Sequence, residues 1–267
     1  MKIGDRLLFY KTRGSGGTYF QGPYPSWKEA KENCKGYNDI NLLQNIFEKS
    51  VEARKKGIYE RDSVIFPNPN YNFTLLTLLF SLKKKNISVL DIGGAFGTAY
   101  FNNLEYLRLF EKINWVIVEQ KPLVGLAKTV DVFQSVQFFD SMETGFDMES
   151  VDLVLLSGSL QYIEFYKEIL EKINNSKAAY CIIDRIPLLE GIKGPRIFKQ
   201  VVSQSIYDAS YPIWMLLQKD LNQILGNYTL FNFSPSLVDG KMYTNKGGVK
   251  FFQLVYKSNK NYWGNDV

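Results

Sequence analysis

Residues 87–101, ISVLDIGGAFGTAYF, carry the pattern in this chain that is best suited to chemistry. A β-branched apolar run ends in a glycine-rich turn, and apolar side chains spaced three residues apart follow it, which predicts a strand, a tight turn and a helix. Glycine lets a backbone turn with positive φ and approach a ligand closely, because it has no Cβ. Such a unit opens doubly wound α/β domains that bind nucleotide-like ligands beyond the strand's carboxyl end. The stretch therefore predicts where a cofactor binds, but not which one.

The spacing of the glycines separates two kinds of cofactor. The dinucleotide pattern G-x-G-x-x-G would begin at Gly93 and need glycine at both Ala95 and Thr98. The looser pattern D-x-G-x-(G/A)-x-G is matched by Asp91, Gly93, Ala95 and Gly97. This pattern resembles the first motif of the class I S-adenosylmethionine (SAM) methyltransferases, with Ala95 where a glycine is usual. The added methyl group of Ala95 limits how closely the backbone can approach the methionine part of such a cofactor.

Length and composition bound the class of protein. With 267 residues, 45% of them hydrophobic, the chain can bury a full core, so we expect one domain with elaborations. No stretch approaches the roughly 18 apolar residues that span a bilayer, and the first residues are too polar for a signal peptide, which predicts a cytoplasmic protein without membrane insertion. The net charge of +5 is modest, so nucleic-acid binding is not expected and a small anionic acceptor is compatible. Cys34 and Cys181 predict neither a disulfide framework nor a metal site.

Histidine does not occur in the sequence. Histidine triads, histidine metal sites and a histidine general base are therefore excluded. Any general base must be Asp, Glu, Tyr or Lys, or else the acceptor must arrive already nucleophilic.

Residues 1–85 predict a loop and a helical extension that borders the cofactor cleft, and residues 86–267 predict the cofactor-binding domain. Ser26 and Glu29 form a capping box at the start of the first helix. Helices are expected over 27–35, 39–57 and 75–80.

From residue 87 onward, strands and helices alternate, which is typical of a parallel sheet. Strands are expected over 87–92, 114–120, 136–140, 151–158 and 178–184, with helices over 98–112, 124–132 and 163–173 between them. Residues 186–212 are expected to be irregular or partly helical, followed by a helix over 214–225. Two last strands, 228–233 and 249–256, predict an antiparallel hairpin at the sheet edge. This is the Rossmann-like class I methyltransferase arrangement: a mostly parallel seven-stranded sheet with helices on both faces.

Polar residues end every predicted parallel strand, and ligands bind at that edge of an open sheet. Glu119, after the second strand, can accept hydrogen bonds from both ribose hydroxyls of a nucleoside, whether in SAM or in NAD, although it could also be an ordinary solvated loop acid. Asp140 can bond the adenine amino group, or can instead form a turn. The predicted cofactor-binding residues are Asp91, Gly93, Gly94, Ala95, Gly97, Glu119, Gln120, Asp140, Ser157 and Gly158. Asp152 begins the fourth strand at the opposite end and is expected to be a structural cap.

Six ordered blocks resemble a known family. They are GPYPSW, VLDIGGAFGTAYF, WVIVEQ, LLSGSLQYI, IIDRIP and YDASYPIW, and they span about residues 20–256. Together they resemble SAM-dependent methyltransferases found among bacterial capsule and lipopolysaccharide biosynthesis proteins. The resemblance implies a class I fold, SAM as the methyl donor with S-adenosylhomocysteine as product, and a surface polysaccharide or its precursor as acceptor; no metal is expected.

The acceptor side is predicted around the end of the fifth strand. Asp184 is the best-placed general base, but Arg185 beside it would lower its pKa by pairing with it. Arg185 could instead hold an anionic acceptor such as a phosphate, whose oxygen needs no base. O-methyl phosphoramidate, a capsule modification, fits that chemistry and the family context, whereas a neutral sugar hydroxyl would need the base. Tyr162 is the third candidate catalytic residue.

Aromatic residues in two blocks could contact the acceptor, the first block as a lid over the substrate and the second as a wall against a sugar or nucleotide, or both could pack the chain. These residues are Tyr24, Trp27, Tyr207, Tyr211 and Trp214. Two other functions compete with methyl transfer: an NAD-dependent sugar-modifying enzyme, disfavoured by Ala95 and Thr98, and a non-catalytic SAM or nucleotide binder that acts in an assembly. The sequence does not determine the oligomeric state.

Overall fold

A computed structural model of the chain describes residues 11, 17–35, 40–61, 64–143, 146–189, 196–203, 209–236, 242–244 and 247–260. The strands are β1 (Tyr19–Tyr24), β2 (Tyr59–Arg61), β3 (Val64–Phe66), β4 (Asn86–Ile92), β5 (Lys112–Val118), β6 (Gln137–Phe139), β7 (Leu153–Ser157), β8 (Tyr180–Leu188), β9 (Arg196–Val201), β10 (Ser210–Met215), β11 (Tyr228–Pro235), β12 (Met242–Thr244) and β13 (Gly247–Ser258). The helices are α1 (Trp27–Glu32), α2 (Ile40–Lys56), α3 (Phe73–Ser81), α4 (Thr98–Asn102), α5 (Leu104–Leu107), α6 (Lys121–Ala127), α7 (Tyr166–Asn175) and α8 (Gln218–Ile224).

Seven strands form the centre of the sheet in the order β6-β5-β4-β7-β8-β13-β11. The first five are parallel, and β13 is antiparallel to both of its neighbours β8 and β11. Counted along the chain within this set, the order is 3-2-1-4-5-7-6. The terminal antiparallel pair separates this arrangement from the six-stranded dinucleotide fold, whose order is 3-2-1-4-5-6. The predicted sheet is confirmed.

Apolar side chains on the parallel strands alternate between two cores. Val89, Ile117 and Leu155 belong to the core on one face of the sheet, and their neighbours Leu90, Val116 and Leu156 belong to the core on the other. This alternation follows from the two-residue period of a strand. Leucines of α3 cover the first face, and apolar residues of α7 and α8 cover the second. Helices therefore lie on both faces, as predicted.

Three of the predicted helices have different bounds. The helix expected over 98–112 is broken at Asn103 into α4 and α5. The helix expected over 124–132 begins earlier, because Pro122 occupies the first turn of α6, where its missing N–H costs no hydrogen bond. The helix expected over 163–173 begins three residues later, as α7, and a 3₁₀ turn at Leu160–Tyr162 precedes it.

The prediction that residues 186–212 are irregular or partly helical is wrong for the described residues, whereas the helix predicted over 214–225 is present and begins later, at Gln218. β8 continues to Leu188, and β9 and β10 form an antiparallel pair that β1 and β12 join to the first residues of β13. These pairings are distant in sequence, since β1 lies more than 170 residues before β9, and local patterning does not reveal them. Pro212 fits in β10 because this strand lies at the sheet edge.

The N-terminal segment differs from a purely helical extension, so that prediction is not confirmed. The described part of residues 1–85 does contain α1, α2 and α3, but it also contains β1, which enters the sheet, and the β2–β3 hairpin. The predicted cap is present, because Ser26 Oγ accepts the N–H of Glu29 at 3.2 Å.

Asp152 lies at the amino end of the sheet, opposite the predicted site. Its carboxylate accepts the backbone N–H of Ser88 at 2.9 Å and the ammonium group of Lys84 at 2.5 Å. The prediction of a structural cap is confirmed by these bonds.

We expect Asp152→Ala to lower the free energy of unfolding without lowering the affinity for any ligand. It leaves the N–H of Ser88 without its acceptor, a loss of roughly 1–3 kcal/mol, and thermal unfolding should show a Tm lower by several degrees. Asp152→Asn retains an acceptor and should recover most of the loss. A fall in ligand affinity with Asp152→Ala would contradict this structural role.

Candidate active site

A cavity of about 980 Å³ lies beyond the carboxyl ends of the parallel strands. Its lining includes Asp91, Glu119, Asp140 and Ser157 at the ends of β4 to β7, and Asp184 of β8, which pairs with Ser157 at the end of β7. The volume is near the top of the roughly 300–1,000 Å³ typical of ligand sites, so a nucleoside-sized ligand and a small second one both fit. Of the ten predicted cofactor-binding residues, all except Gly97 line the cavity.

The glycine turn after β4 packs too tightly for any side chain at its first two positions. Gly93 has φ +72°, and a Cβ there would lie 2.3 Å from the Cβ of Ser159. A Cβ on Gly94 would lie 2.4 Å from the Asp91 carboxylate. Gly97, at φ +80°, begins α4. The glycines are therefore required by the contacts of the turn itself.

Ala95 takes the conformation that a glycine would have at the third position, with φ +49°. Its N–H donates to Glu119 Oε1 at 3.2 Å, and the N–H of Gln120 donates to Oε2 at 2.8 Å. Two backbone donors thus hold the Glu119 carboxylate, and each oxygen keeps a further lone pair that can face the cavity. Burial raises the pKa of Glu119, and these two hydrogen bonds oppose the rise.

Asp91 is buried beneath the same turn. Its Oδ2 accepts the indole N–H of Trp115 at 3.3 Å. Burial raises its pKa to about 7, with a further rise from the charge of Glu119 and an opposing effect from the Trp115 hydrogen bond. The site therefore holds a carboxyl group whose ionisation a bound cation would favour.

Asp184 and Arg185 form a bulge in β8 opposite Gln253 of β13, because Ile183 pairs with Leu254 while Ile186 pairs with Phe252. Such a bulge re-aims a side chain. Arg185 has φ +58°, a conformation that costs a non-glycine residue roughly 1–2 kcal/mol.

Hydrogen bonds on both sides of Arg185 hold it in this conformation. Its N–H donates to Asp184 Oδ1 at 2.8 Å, and Gln161 Nε2 donates to its carbonyl at 3.1 Å. A Cβ on Gly158 would lie 3.1 Å from the Arg185 guanidinium, so this glycine, predicted to serve the cofactor, leaves room for the arginine. Both Asp184 and Arg185 line the cavity.

Tyr162 and Tyr211 form the wall beside Arg185. Their rings meet edge to face with centroids 5.1 Å apart, and both line the cavity. The hydroxyl of Tyr162 donates to Gln200 Oε1 at 2.8 Å. Gln200 is buried on β9, and sequence reasoning missed it because β9 itself was not predicted.

The other aromatic residues predicted to contact the acceptor lie elsewhere. Tyr24, Trp27 and Trp214 do not line the cavity. The rings of Trp27 and Trp214 stack 5.5 Å apart and fasten α1 to β10, which is the packing alternative. Tyr207 lies outside the described residues.

The opposite side of the cavity is formed by the part of the chain that we call the N-terminal wall, residues 42–61 and 64–74. Its lining residues include Ser50, Glu60 and the run 70–74. Glu60 is buried and forms an ion pair with Arg54 at 3.0 Å. Sequence reasoning missed Glu60, since a lone acid in a short strand has no periodic signal.

Two further findings concern metals and membranes. Within the described residues, no group of three Cys, Asp or Glu side chains could hold a metal ion. The helices in the described part of the chain are all too short or too polar to cross a bilayer.

Comparison with known proteins gives a mixed result. No protein-family profile matches the chain, and no curated protein does either. It is similar to the structure of LepI in complex with SAM, with 13% identity and a TM-score of 0.47 over 79% of this chain and 52% of LepI. It is similar to a SAM-dependent methyltransferase from Clostridium acetobutylicum, with 12% identity and a TM-score of 0.48 over 84% of this chain and 100% of that one. It is also similar to 1,6-didemethyltoxoflavin-N1-methyltransferase from Burkholderia thailandensis, with 16% identity and a TM-score of 0.44 over 82% of this chain and 90% of that one.

The chain spans about half the length of LepI and most of the other two proteins. Similarity at this level carries no argument about activity. The strand order, the antiparallel β13 and the glycine turn after β4 together define the class I methyltransferase fold.

We expect Asp91→Asn to stabilise the ligand-free protein at neutral and alkaline pH. The pKa of Asp91 rises from 3.8 to about 7 on folding, so between these values the folded protein holds a proton that the unfolded chain releases. Wild-type stability therefore falls as pH rises through this range, by about 1.4 kcal/mol per pKa unit. The asparagine keeps an acceptor for Trp115 and removes this loss.

Thermal unfolding without ligand should show a higher Tm for Asp91→Asn than for wild type at about pH 8, and a smaller difference at about pH 5. Asp140→Asn, which changes an exposed residue of the same cavity, is the matched control and should leave Tm unchanged. A Tm difference for Asp91→Asn that is the same at both pH values would contradict the expectation.

Proposed function

We propose that the chain is a SAM-dependent O-methyltransferase. The observation that carries the proposal is the fixed carboxylate of Glu119 beside the glycine turn, at the carboxyl ends of β4 and β5. In this proposal, the oxygens of Glu119 accept the two ribose hydroxyls. Asp140, at the end of the neighbouring β6, accepts the adenine amino group, and Gly93 and Gly94 line the methionine part.

The hydrogen bonds of the turn favour SAM over a dinucleotide. In dinucleotide sites, the N–H groups of this turn bind a pyrophosphate. Here the N–H of Gly93 donates to the carbonyl of Val118 at 2.8 Å, that of Ala95 donates to Glu119, and that of Gly97 donates to the carbonyl of Gly94 at 3.0 Å. Three donors that a pyrophosphate would need are thus already used.

The charge of the cavity favours a cation. Five carboxyl groups line it, those of Glu60, Asp91, Glu119, Asp140 and Asp184, against the guanidinium groups of Arg61 and Arg185. Arg54 already pairs with Glu60, and the other four carboxyl groups still outnumber the two guanidinium groups. SAM carries a sulfonium cation, whereas NAD carries a pyrophosphate anion. A nearby opposite charge favours the ionised form of a buried carboxyl, so a sulfonium ligand would offset the cost of ionising Asp91 and Glu119.

The acceptor in this proposal is a small anionic or sugar-nucleotide-like molecule beside Arg185. The bulged arginine holds its anionic group, and the rings of Tyr162 and Tyr211 contact its body. A surface-polysaccharide precursor, with the oxygen of a phosphoramidate as one form of the acceptor, is the version that the sequence resemblance favours. The cavity supports only the chemical class.

The chain's own part in the reaction is positioning and electrostatics. A bound sulfonium supplies an electrophilic methyl group, which moves to the acceptor oxygen while the C–S electron pair remains on sulfur. Arg185 orients an anionic oxygen that has no proton to lose. A neutral hydroxyl would instead give its proton to Asp184, which is the alternative that the experiment below tests.

We expect Glu119→Ala to weaken SAM binding without unfolding the protein. Hydrogen bonds to a charged group contribute about 1.5–3 kcal/mol, so calorimetry should show a rise in Kd of about tenfold to a hundredfold. Asp152→Asn, at the far end of the sheet, should bind SAM like wild type. If the wild type binds NAD and not SAM, the proposal is wrong. An unchanged Kd for SAM in Glu119→Ala would show that Glu119 does not bind the cofactor.

We expect Asp184→Asn and Arg185→Ala to separate the two kinds of acceptor. With an anionic acceptor, Asp184→Asn should lose far less than the rate factor of about 10²–10⁴ that a positioned base contributes. Arg185→Ala should mainly raise the KM for the acceptor, because it removes uniform binding. Arg185→Lys keeps the positive charge but loses the parallel N–H donors of the guanidinium. Its KM for the acceptor should therefore lie between those of Arg185→Ala and the wild type.

The measurement is the release of S-adenosylhomocysteine at saturating SAM, with a panel of sugar phosphates and the matching free sugars. The rate with a phosphorylated acceptor should show no acid limb between about pH 6 and 8. A large loss of rate in Asp184→Asn with intact SAM binding would establish the neutral hydroxyl instead. SAM binding without turnover on any acceptor of the panel would favour the non-catalytic binder.

A further inference from the structure

Two adjacent buried asparagines interrupt the helix that follows the glycine turn. Asn102 ends α4, and Asn103 lies between α4 and α5 with φ −107° and ψ 7°, outside the helical range. Their exposed fractions are 6% and 1%, and both line the cavity. Asparagine is a poor helix former because its side chain competes for backbone hydrogen bonds. Here the two side chains form such bonds with other segments.

Asn102 bonds the backbone of Glu60 in the manner of a neighbouring strand. Its Nδ2 donates to the carbonyl of Glu60 at 2.8 Å, and its Oδ1 accepts the N–H of Glu60 at 3.4 Å. A side-chain amide thus supplies both a donor and an acceptor to one residue of β2.

Asn103 forms a second hydrogen bond to the N-terminal wall, at Asn72. Its Oδ1 accepts the N–H of Asn72 at 2.8 Å, and its Nδ2 donates to the carbonyl of Ala99 at 2.8 Å. The first bond crosses from the helix to the loop before α3, and the second stays within α4.

The carboxylate of Glu60 adds a third link at the same place. Thr98, in the first turn of α4, donates to Glu60 Oε2 at 3.3 Å, and Ser50 of α2 donates to it at 3.4 Å. Arg54 of α2 pairs with the same oxygen, and its guanidinium lies 4.7 Å from the centre of the Phe101 ring. Polar contacts of α4 therefore reach α2, β2 and the loop at Asn72 together.

We propose that Asn102 and Asn103 are positioning residues that hold the N-terminal wall against α4 and thereby set the affinity for the cofactor. The inference rests on the proposed function. A ligand enclosed between two walls must order both of them, and a wall held in place beforehand reduces that cost. Loss of either side chain leaves backbone groups of the wall without these partners, so the wall would sample open positions.

The first test is amide hydrogen exchange of the full chain without ligand. Asn103→Ala should remove the protection of the Asn72 amide, because it deletes the acceptor of that N–H. Asn103→Asp keeps an oxygen that accepts the Asn72 N–H and, in its protonated form, a hydroxyl that donates to the carbonyl of Ala99, so the Asn72 amide should stay protected. Continued protection in Asn103→Ala would overturn the proposal, as would loss of protection in Asn103→Asp.

The second test is the affinity for SAM by calorimetry. Asn102→Ala and Asn103→Ala should each raise the Kd about tenfold, the effect of one net hydrogen bond, while Asn103→Asp should stay near wild type. Asn114→Ala is the matched control: that side chain bonds Ser88 Oγ and Gln137 Nε2 on β4 and β6 and does not line the cavity.

The two tests also separate this inference from the proposed function. If Asn103→Ala loses protection at Asn72 but binds SAM as Asn114→Ala does, the positioning role is wrong while the proposed function stands. If wild type does not bind SAM, the proposed function fails, and the cofactor part of this inference fails with it. The exchange experiment still decides whether Asn103 holds the wall.

Discussion

The approach of the turn after β4 to the loop after β7 is the constraint on which the cavity depends. Ser159 Oγ donates to the carbonyl of Ile92 at 2.5 Å, and its Cβ occupies the space that a side chain on Gly93 would need. With any larger residue at Gly93, the two strand ends must separate. The Glu119 contact to Ala95 would then open as well, since the turn that presents the Ala95 N–H would move. The missing Cβ at Gly93 thus fixes the ends of β4 and β7 and, through Ala95, the carboxylate that follows β5.

Burial of carboxyl groups at these strand ends is a compromise between stability and binding. Asp91 and Glu119 both have raised pKa values because they are withdrawn from water, which is unfavourable for the ligand-free protein. The same withdrawal makes the site attractive to a cation, because fewer waters compete for the carboxylates. A site tuned in this way loses attraction when the ligand loses its positive charge. Under the proposed function, methyl transfer would remove the charge from the sulfonium, so the acidic cavity would favour the substrate form of the cofactor over the neutral product.

The sequence predicts this half of the site well because the signals are local. A parallel strand, its terminal polar residue and the turn after it are contiguous, so local patterning is enough to place Asp91, Glu119 and Asp140 at one edge of the sheet. The other half depends on pairings between distant segments. Tyr211 lines the cavity from β10, which pairs with β9 beside β1, and Glu60 lines it from β2, where Asn102 binds its backbone. No local pattern indicates such contacts, and for the same reason the sequence cannot assign Trp27 and Trp214 to packing. The role of Gly158 beside Arg185 depends on a bulge that sequence alone does not show.

The two halves of the cavity also differ in the strands that form them and in the core that supports them. In the proposed function, the half of the cavity that binds the cofactor is built from β4 to β7, whose alternate side chains fill both main cores. The half proposed to bind the acceptor is built around the first residues of β13, where β12, β1, β9 and β10 continue the sheet over a separate small core that includes Phe20, Phe198 and Val249. Tyr162 packs against that small core while lining the cavity, and it is therefore the point of contact between the two halves. A substitution in β9 or β10 can reshape the acceptor wall without disturbing the packing beneath the glycine turn, because different cores support them. Under the proposed function, the wall that contacts the acceptor can therefore change more freely than the side of the cavity that binds the cofactor.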